Sequence, residues 1–200
     1  MRDKKADILN CGRELFTSKG FKDTTVSDIT KMAGIGVGTF YNYYSSKEKI
    51  FIEIFTEENK KLKNSIMKSV DLNDDPLKLI KELMLLNVSG MKSNPILNEW
   101  YNRDVFNKVE EQYRQENGNN SVDFLYDSFS ELIKEWQADG KIRADINCDL
   151  IMAFFISLIN IDAHKDEIGI QHFPHILDYL TEFILKGITD INLNSRLGSK

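Results

Sequence analysis

Cysteine is nearly absent from this sequence. The two that occur, Cys11 and Cys148, lie far apart and outside any Cys-x-x-Cys spacing, which excludes a disulfide framework and leaves two reduced thiols in or near a core. No apolar run approaches the roughly 20 residues that span a bilayer. Met1-Arg2-Asp3-Lys4-Lys5 leads into an amphipathic pattern rather than a signal-peptide core, so a cytoplasmic protein without membrane contact is expected. Also missing are a strand period, a phosphate-cradling glycine loop, a supportable Ser-His-Asp arrangement and paired carboxylates with a cleft signature. Gly36-x-Gly38 is merely two glycines. Asp162, His164, Asp166, His172 and His175 gather near the last loop, but His164 and its partners two residues away lack helical ligand spacing, so they read as solvent-facing. No metal, no cofactor and no enzymatic activity are expected.

What remains is an ordinary globular composition, 42% hydrophobic and 28% charged, with its charge unevenly spread. Residues 1–50 carry nine Lys/Arg and six Asp/Glu, a net +3, which leaves −8 for the remainder. A mildly basic first quarter on an acidic body is compatible with one end facing phosphates.

The helical period runs almost throughout. Ile8, Cys11, Gly12, Leu15 and Phe16 form one buried face of a first helix over about 3–19, closed by Gly20 with Phe21 packing back as in a Schellman stop. Thr25 and Asp28 make a capping-box-like start to a second helix whose Val26, Ile29 and Met32 face inward, and Gly34 stops it. Ser45 and Glu48 form another capping box. They open a rod with Phe51, Ile54, Phe55, Leu62, Ile66 and Val70 on one stripe over about 23 residues, roughly 35 Å. Asp75-Pro76 and Asn94-Pro95 each give an N-cap followed by proline at the first helical position. A broadly apolar, mostly buried helix is expected over about 76–92, an aromatic one over 96–115, and one through Leu132, Ile133 and Trp136 to a stop at Gly140. Asn147 caps a helix that is apolar nearly all round, and the last helix runs over about 173–188. The expected fold is all-α, about nine helices. The chain divides into three helices over 1–47, a connecting helix 47–70, a larger helical part 71–191 and a tail 192–200.

The stretch from Ile35 to Tyr44 is too short for a self-sufficient helix and dense in small, hydroxyl and aromatic side chains. Following a short amphipathic helix and a glycine stop, it has the outline of the second element of a helix-turn-helix. Such a helix enters a major groove about 12 Å wide and needs side chains that reach base edges. Val37, Thr39, Asn42 and Tyr43 can lie on that face, with Gly36 and Gly38 allowing close backbone approach. Thr25, Tyr41 and Lys47 are suited to gripping phosphates, Lys4 joins the DNA-facing set, and Phe40 packs inward. A generic helical pair with interior tyrosines would look similar.

The run Phe21-x-x-Thr24-Thr25-Val26-x-Asp28-Ile29-x-x-x-Ala33-Gly34-Ile35-x-x-Gly38-Thr39-Phe40-Tyr41-x-Tyr43-Tyr44-x-x-Lys47-Glu48 resembles the DNA-binding domain of TetR-family transcriptional regulators. The likeness covers roughly residues 4–55. It implies an all-helical two-fold dimer, with 1–47 as a three-helix helix-turn-helix DNA-binding domain and 71–191 as a larger helical ligand-binding and dimerisation domain, that acts as a ligand-responsive repressor on a pseudo-palindromic operator, with an inducer in the body tilting the connecting helix. The sequence departs from the family pattern at Gly36 and Val37, where Ser and a basic residue are common, so base readout shifts toward Thr39, Asn42, Tyr43 and a methyl contact from Val37.

Two of the helices have more apolar surface than their own chain needs. Ile151, Phe154, Phe155 and Leu158 from one, with Ile176, Leu180, Phe183 and Ile184 from the other, would meet a symmetry mate in a four-helix interface. Completion of a monomer core is the alternative. Phe55, Trp100, Tyr101, Phe106, Tyr113, Phe124, Tyr126 and Phe129 are more aromatics than a bundle seam requires and are candidates to line an apolar cavity, against ordinary core packing for each. The body diverges too widely in the family for the resemblance to assign the small-molecule inducer. A helix-turn-helix dimer governed by a protein partner, with no small-molecule ligand, is the competing function.

Overall fold

The computed structural model describes residues 3–105, 107–109, 111, 123–163, 165–173 and 175–190, with the backbone alone for 123–129, 159, 160, 162, 163 and 166. Among the described residues no strand occurs. The α-helices whose bounds fall among the described residues are α1 Lys4–Lys19, α2 Val26–Ala33, α3 Val37–Tyr41, α4 Lys47–Ser69, α5 Pro76–Ser93, α6 Pro95–Asn98, α7 Asp123–Ala138, α8 Cys148–Ala163, α9 Lys165–Ile168 and α10 His175–Thr189. Further helical backbone lies at 103–105 and 107–109. No described helix is long and apolar enough to cross a membrane. The described residues fall into two compact units. One is drawn from Met1–Val70 and Leu83–Ser121, the other from Asp71–Glu82 and Val122–Lys200.

In the first unit the expected stripe of α1 buries Ile8, Gly12, Leu15 and Phe16, while Cys11 stays half-buried. They join Phe21, Ile29, Phe40, Tyr44, Ile50, Phe51 and Ile54 in one core. Gly12 lets α1 and α4 approach, because a Cβ there would lie 2.9 Å from Ile50 Cδ1. Asp3 caps α1 by accepting from the Lys5 and Ala6 amides.

Several local expectations change. The first helix does not end in a Schellman motif. Gly20 has φ 78 and ψ 172, and the Phe21 amide, which would close that motif, instead donates to Glu99 Oε1 at 2.8 Å. The Schellman pattern occurs one helix later: Gly34 is left-handed, its amide reaches Lys31 O, and Ile35 N–H bonds Thr30 O at 3.0 Å. Ser46 rather than Ser45 caps α4, accepting from Lys49 N–H, so Glu48 falls out of register for a capping box. On α2 Met32 is exposed and Thr30 takes an inward position beside Ile29, while Ala33 is buried as expected. The rod keeps its expected 23 residues. The single helix expected over 96–115 is interrupted: Glu99–Tyr101 is a 3-10 turn and Asn102 is extended. Both side chains at this break have local or tertiary partners that compete with helix continuation, Asn102 Nδ2 with Glu99 Oε2 and Glu99 Oε1 with Phe21. The second half of α5 is less buried than expected, with Asn87 and Met91 covered but Leu85 72% exposed.

In the second unit α8 packs on α7 and α10. Leu132, Ile133, Trp136, Ile142, Ile151, Met152, Phe155, Leu158, Leu185 and Ile188 are buried. Asn147 caps α8 through Leu150 N–H, 2.7 Å. The connection into α8 is fastened to α10: Arg143 N–H donates to Ile188 O at 2.8 Å and its guanidinium pairs with Asp145.

Candidate nucleic-acid interface

The candidate site is α3 and its supports. Five residues cannot hold a helix alone, so α3 is fixed by what it buries. Phe40 is 0% and Tyr44 1% exposed, their rings 5.9 Å apart, and Tyr43 and Tyr44 amides fold back onto Phe40 O. With those two residues anchored inward, helical geometry turns Val37, Tyr41 and Tyr43 outward, at 46%, 55% and 41% exposed. Asn42 and the two glycines are exposed as well, and Thr39 is half-buried. A Cβ on Gly36 or Gly38 would meet nothing within 4 Å. The result is an uncharged outward surface with bare backbone at its leading end.

The approach of α2 is set by a complete capping box. Thr25 Oγ1 accepts from Asp28 N–H at 3.1 Å and Asp28 Oδ2 accepts from Thr25 N–H at 3.0 Å. The Thr25 hydroxyl, which donates to Asp28 Oδ2, and then the Thr25 amide hold the Asp28 carboxyl below its ordinary 3.8. The stabilisation is therefore complete above that value and fades as pH falls through the lowered folded one. Thr25→Ala is expected to cost about 1 kcal/mol in urea unfolding at pH 7 and to flatten the acid limb of the stability profile.

Residues 8–54 match the family model of bacterial regulatory proteins, tetR family. Residues 8–54 are a TetR-family DNA-binding domain. The chain's relatives are transcriptional regulators. It is 41% identical to the HTH-type transcriptional regulator YhgD of Bacillus subtilis over 61 residues, 30% of this chain and 32% of that protein. With the HTH-type transcriptional repressor KstR2 of Mycolicibacterium smegmatis it shares 21% over 196 residues, 90% of this chain and 91% of the other. The structure of Thermus thermophilus FadR, a TetR-family repressor in complex with lauroyl-CoA, superposes with a TM-score of 0.63 at 19% identity, covering 92% and 94% of the two chains.

Within this TetR-family domain the side chains expected at phosphates have unequal freedom. Tyr41 and Lys4 are exposed. Thr25 Oγ1 is engaged with Asp28, to which it also donates at 2.8 Å. Lys47 turns inward: its ammonium donates to Phe21 O and Thr24 O, each at 2.8 Å, and lies 4.2 Å from the Phe21 ring centroid. Its half-buried position lowers its pKa.

Sequence reasoning missed the polar contacts that brace this head. Arg13 of α1 pairs with Glu57 and Glu58 of α4, Asn94 Nδ2 donates to Glu58 Oε2 at 3.2 Å, and Glu99 holds the α1–α2 turn. Their partners lie 36 to 78 positions away in sequence, so no local pattern announces them.

Of the aromatic set, Phe55 and Trp100 stack with centroids 5.8 Å apart, and Tyr101 lines an open cleft of about 370 Å³ with Phe16, Thr17, Pro95 and Asn98. Phe106 and Tyr113, and the side chains of Phe124, Tyr126 and Phe129, lie outside the described residues, as do His164, the side chains of Asp162 and Asp166, and the tail 192–200. His172 and His175 are exposed. In the pairing set Ile151, Phe155 and Leu158 are buried, at 0%, 9% and 2% exposed. Phe154, Ile176, Leu180 and Ile184 are half-buried and Phe183 is 62% exposed.

Proposed function

We propose that this TetR-family regulator is a homodimeric repressor that binds a pseudo-palindromic operator in double-stranded DNA and is released by a small, largely apolar ligand. The observation that carries the DNA reading is the uncharged outward face of α3, held in position by buried Phe40 and Tyr44. Val37, Thr39, Asn42 and Tyr43 then read base edges, and Gly36 and Gly38 admit the DNA closely. Tyr41 and Lys4 serve phosphates. Thr25 and Lys47 act mainly by fixing the turn before α2, since their polar atoms are already engaged.

Pairing is supported by apolar side chains that α8 and α10 leave in solvent, including Ile156, Tyr179 and Phe183. Two-fold pairing places the recognition helices one helical turn apart, about 34–36 Å. A ligand favouring another spacing by about 3 kcal/mol would weaken operator binding around a hundredfold. The lauroyl-CoA complex of the FadR neighbour supports the ligand-gated form of the proposal.

The test compares Tyr41→Ala with Thr39→Ala by fluorescence anisotropy on the selected operator and on random duplex. The tyrosine variant is expected to weaken both duplexes alike. Loss for the threonine variant should be confined to the operator, about 1–3 kcal/mol. Equal losses on both duplexes for both variants would refute this division of labour.

A further inference from the structure

The face between α4 and α5 in the first unit contains a polar cluster that neither DNA contact nor pairing uses. Lys63 Nζ donates to Asn87 Oδ1 at 2.5 Å. Asn87 is 9% exposed, and its own amide finds only the weak acceptor Met91 Sδ, 3.9 Å away. One turn before Lys63 on the same face, the covered Oδ1 of Asn59 accepts no hydrogen bond. Burial lowers the Lys63 ammonium to about 8, which keeps it mostly protonated at pH 7. Among the described residues no carboxylate pairs with it.

A desolvated ammonium on one neutral amide is costly, and buried charges are ordinarily paired. The helices come close here, since a Cβ on Gly90 would lie 2.2 Å from Leu62 Cδ1. In this part of α5 Leu83 and Met84, one turn before Asn87, are half-buried, as are Leu86 and Val88 on either side of it in sequence. A cation, an amide donor and incompletely covered apolar side chains therefore occur together.

We propose that Lys63, with Asn87, binds the carboxylate of a small amphipathic organic acid whose apolar part lies along the 83–93 part of α5. The two remaining N–H groups of Lys63 and the Asn87 amide donate to the carboxylate oxygens, forming charge-assisted bonds. Asn59 Oδ1 accepts from a water carried in with the acid. This assignment deepens the ligand-gated reading and rests on it for its regulatory meaning. It narrows the ligand from apolar to apolar with an anionic end.

The experiment is calorimetric titration of the full chain with two matched pairs, octanoate against 1-octanol and benzoate against benzyl alcohol, alone and with bound operator. The pairs separate an aliphatic from an aromatic acid. At least one carboxylate is expected to bind about tenfold or more tightly than its alcohol, a difference typical of a charged hydrogen bond. Lys63→Met should abolish that preference and Lys63→Arg should retain part of it. Equal affinity for acid and alcohol, no binding by either acid, or a preference surviving in Lys63→Met overturns the assignment. The wild-type comparison holds even where a variant fails to fold. Carboxylate binding that leaves the operator complex intact supports the site and overturns gating. Operator release by the alcohols alone overturns the site and leaves gating standing.

Discussion

Phe16→Ala is expected to destabilise the first unit by about 3–5 kcal/mol, the range for truncating a buried aromatic. Phe16 is fully buried. Its ring meets Phe51 of α4 edge-on at 5.1 Å and Phe21 at 6.0 Å, and Phe21 meets Phe51 at 4.8 Å. These three rings join α1, the α1–α2 turn and α4. Their removal leaves a void bounded by separate elements, which close in only partly. Such a loss is a large share of a domain's total stability. Urea unfolding followed by circular dichroism should show an earlier transition at an unchanged slope, and operator binding should fail at temperatures the parent tolerates. A cost under about 1 kcal/mol would mean that the three-ring cluster does not hold the head together.

The second large effect is expected at the pairing surface. Phe183→Asp should turn a dimer at micromolar concentration into monomers, by sedimentation velocity, with helical content unchanged. Phe183 stacks on Tyr179 at 6.1 Å but is 62% exposed in its own chain, so the substitution removes little internal packing. In a two-fold interface the same change occurs in both copies, and each unpaired carboxylate carries a desolvation cost of several kcal/mol. A loss of at least about a hundredfold in dimer affinity follows. Operator affinity should fall with it, because one half-site must then hold without its mate. Persistence of a dimer would place the pairing surface elsewhere on the molecule.

Much of the architecture was legible because it depends on neighbours in sequence. The apolar period marked α1 and α4, and the Thr25–Asp28 spacing predicted a real capping box. Asn94-Pro95 marked the start of α6, and Asn147 the cap of α8. Phe40 was readable as an inward residue because an exposed five-residue helix must be anchored by something large. Errors of one step came from choices that local pattern leaves nearly equal. Ser45 and Ser46 are both competent caps, and the glycine that ends α1 does not tell which oxygen the next amide, that of Phe21, will meet.

Pattern alone established an all-helical chain with a short insertable helix after a capped partner, a basic first quarter and apolar surplus near the end, since helix period, caps and charge are local properties. Packing was needed to say what each side chain is free to do. It drew the Lys47 ammonium onto the carbonyls of Phe21 and Thr24, set Glu99 against the Phe21 amide 78 residues away, and buried Ile151, Phe155 and Leu158 in their own unit. It also brought Lys63 to Asn87 with no carboxylate beside it among the described residues. Burial and hydrogen-bond partners are properties of distant segments brought together, so a residue's type announces what it can do while its neighbours in space decide which of those things it does.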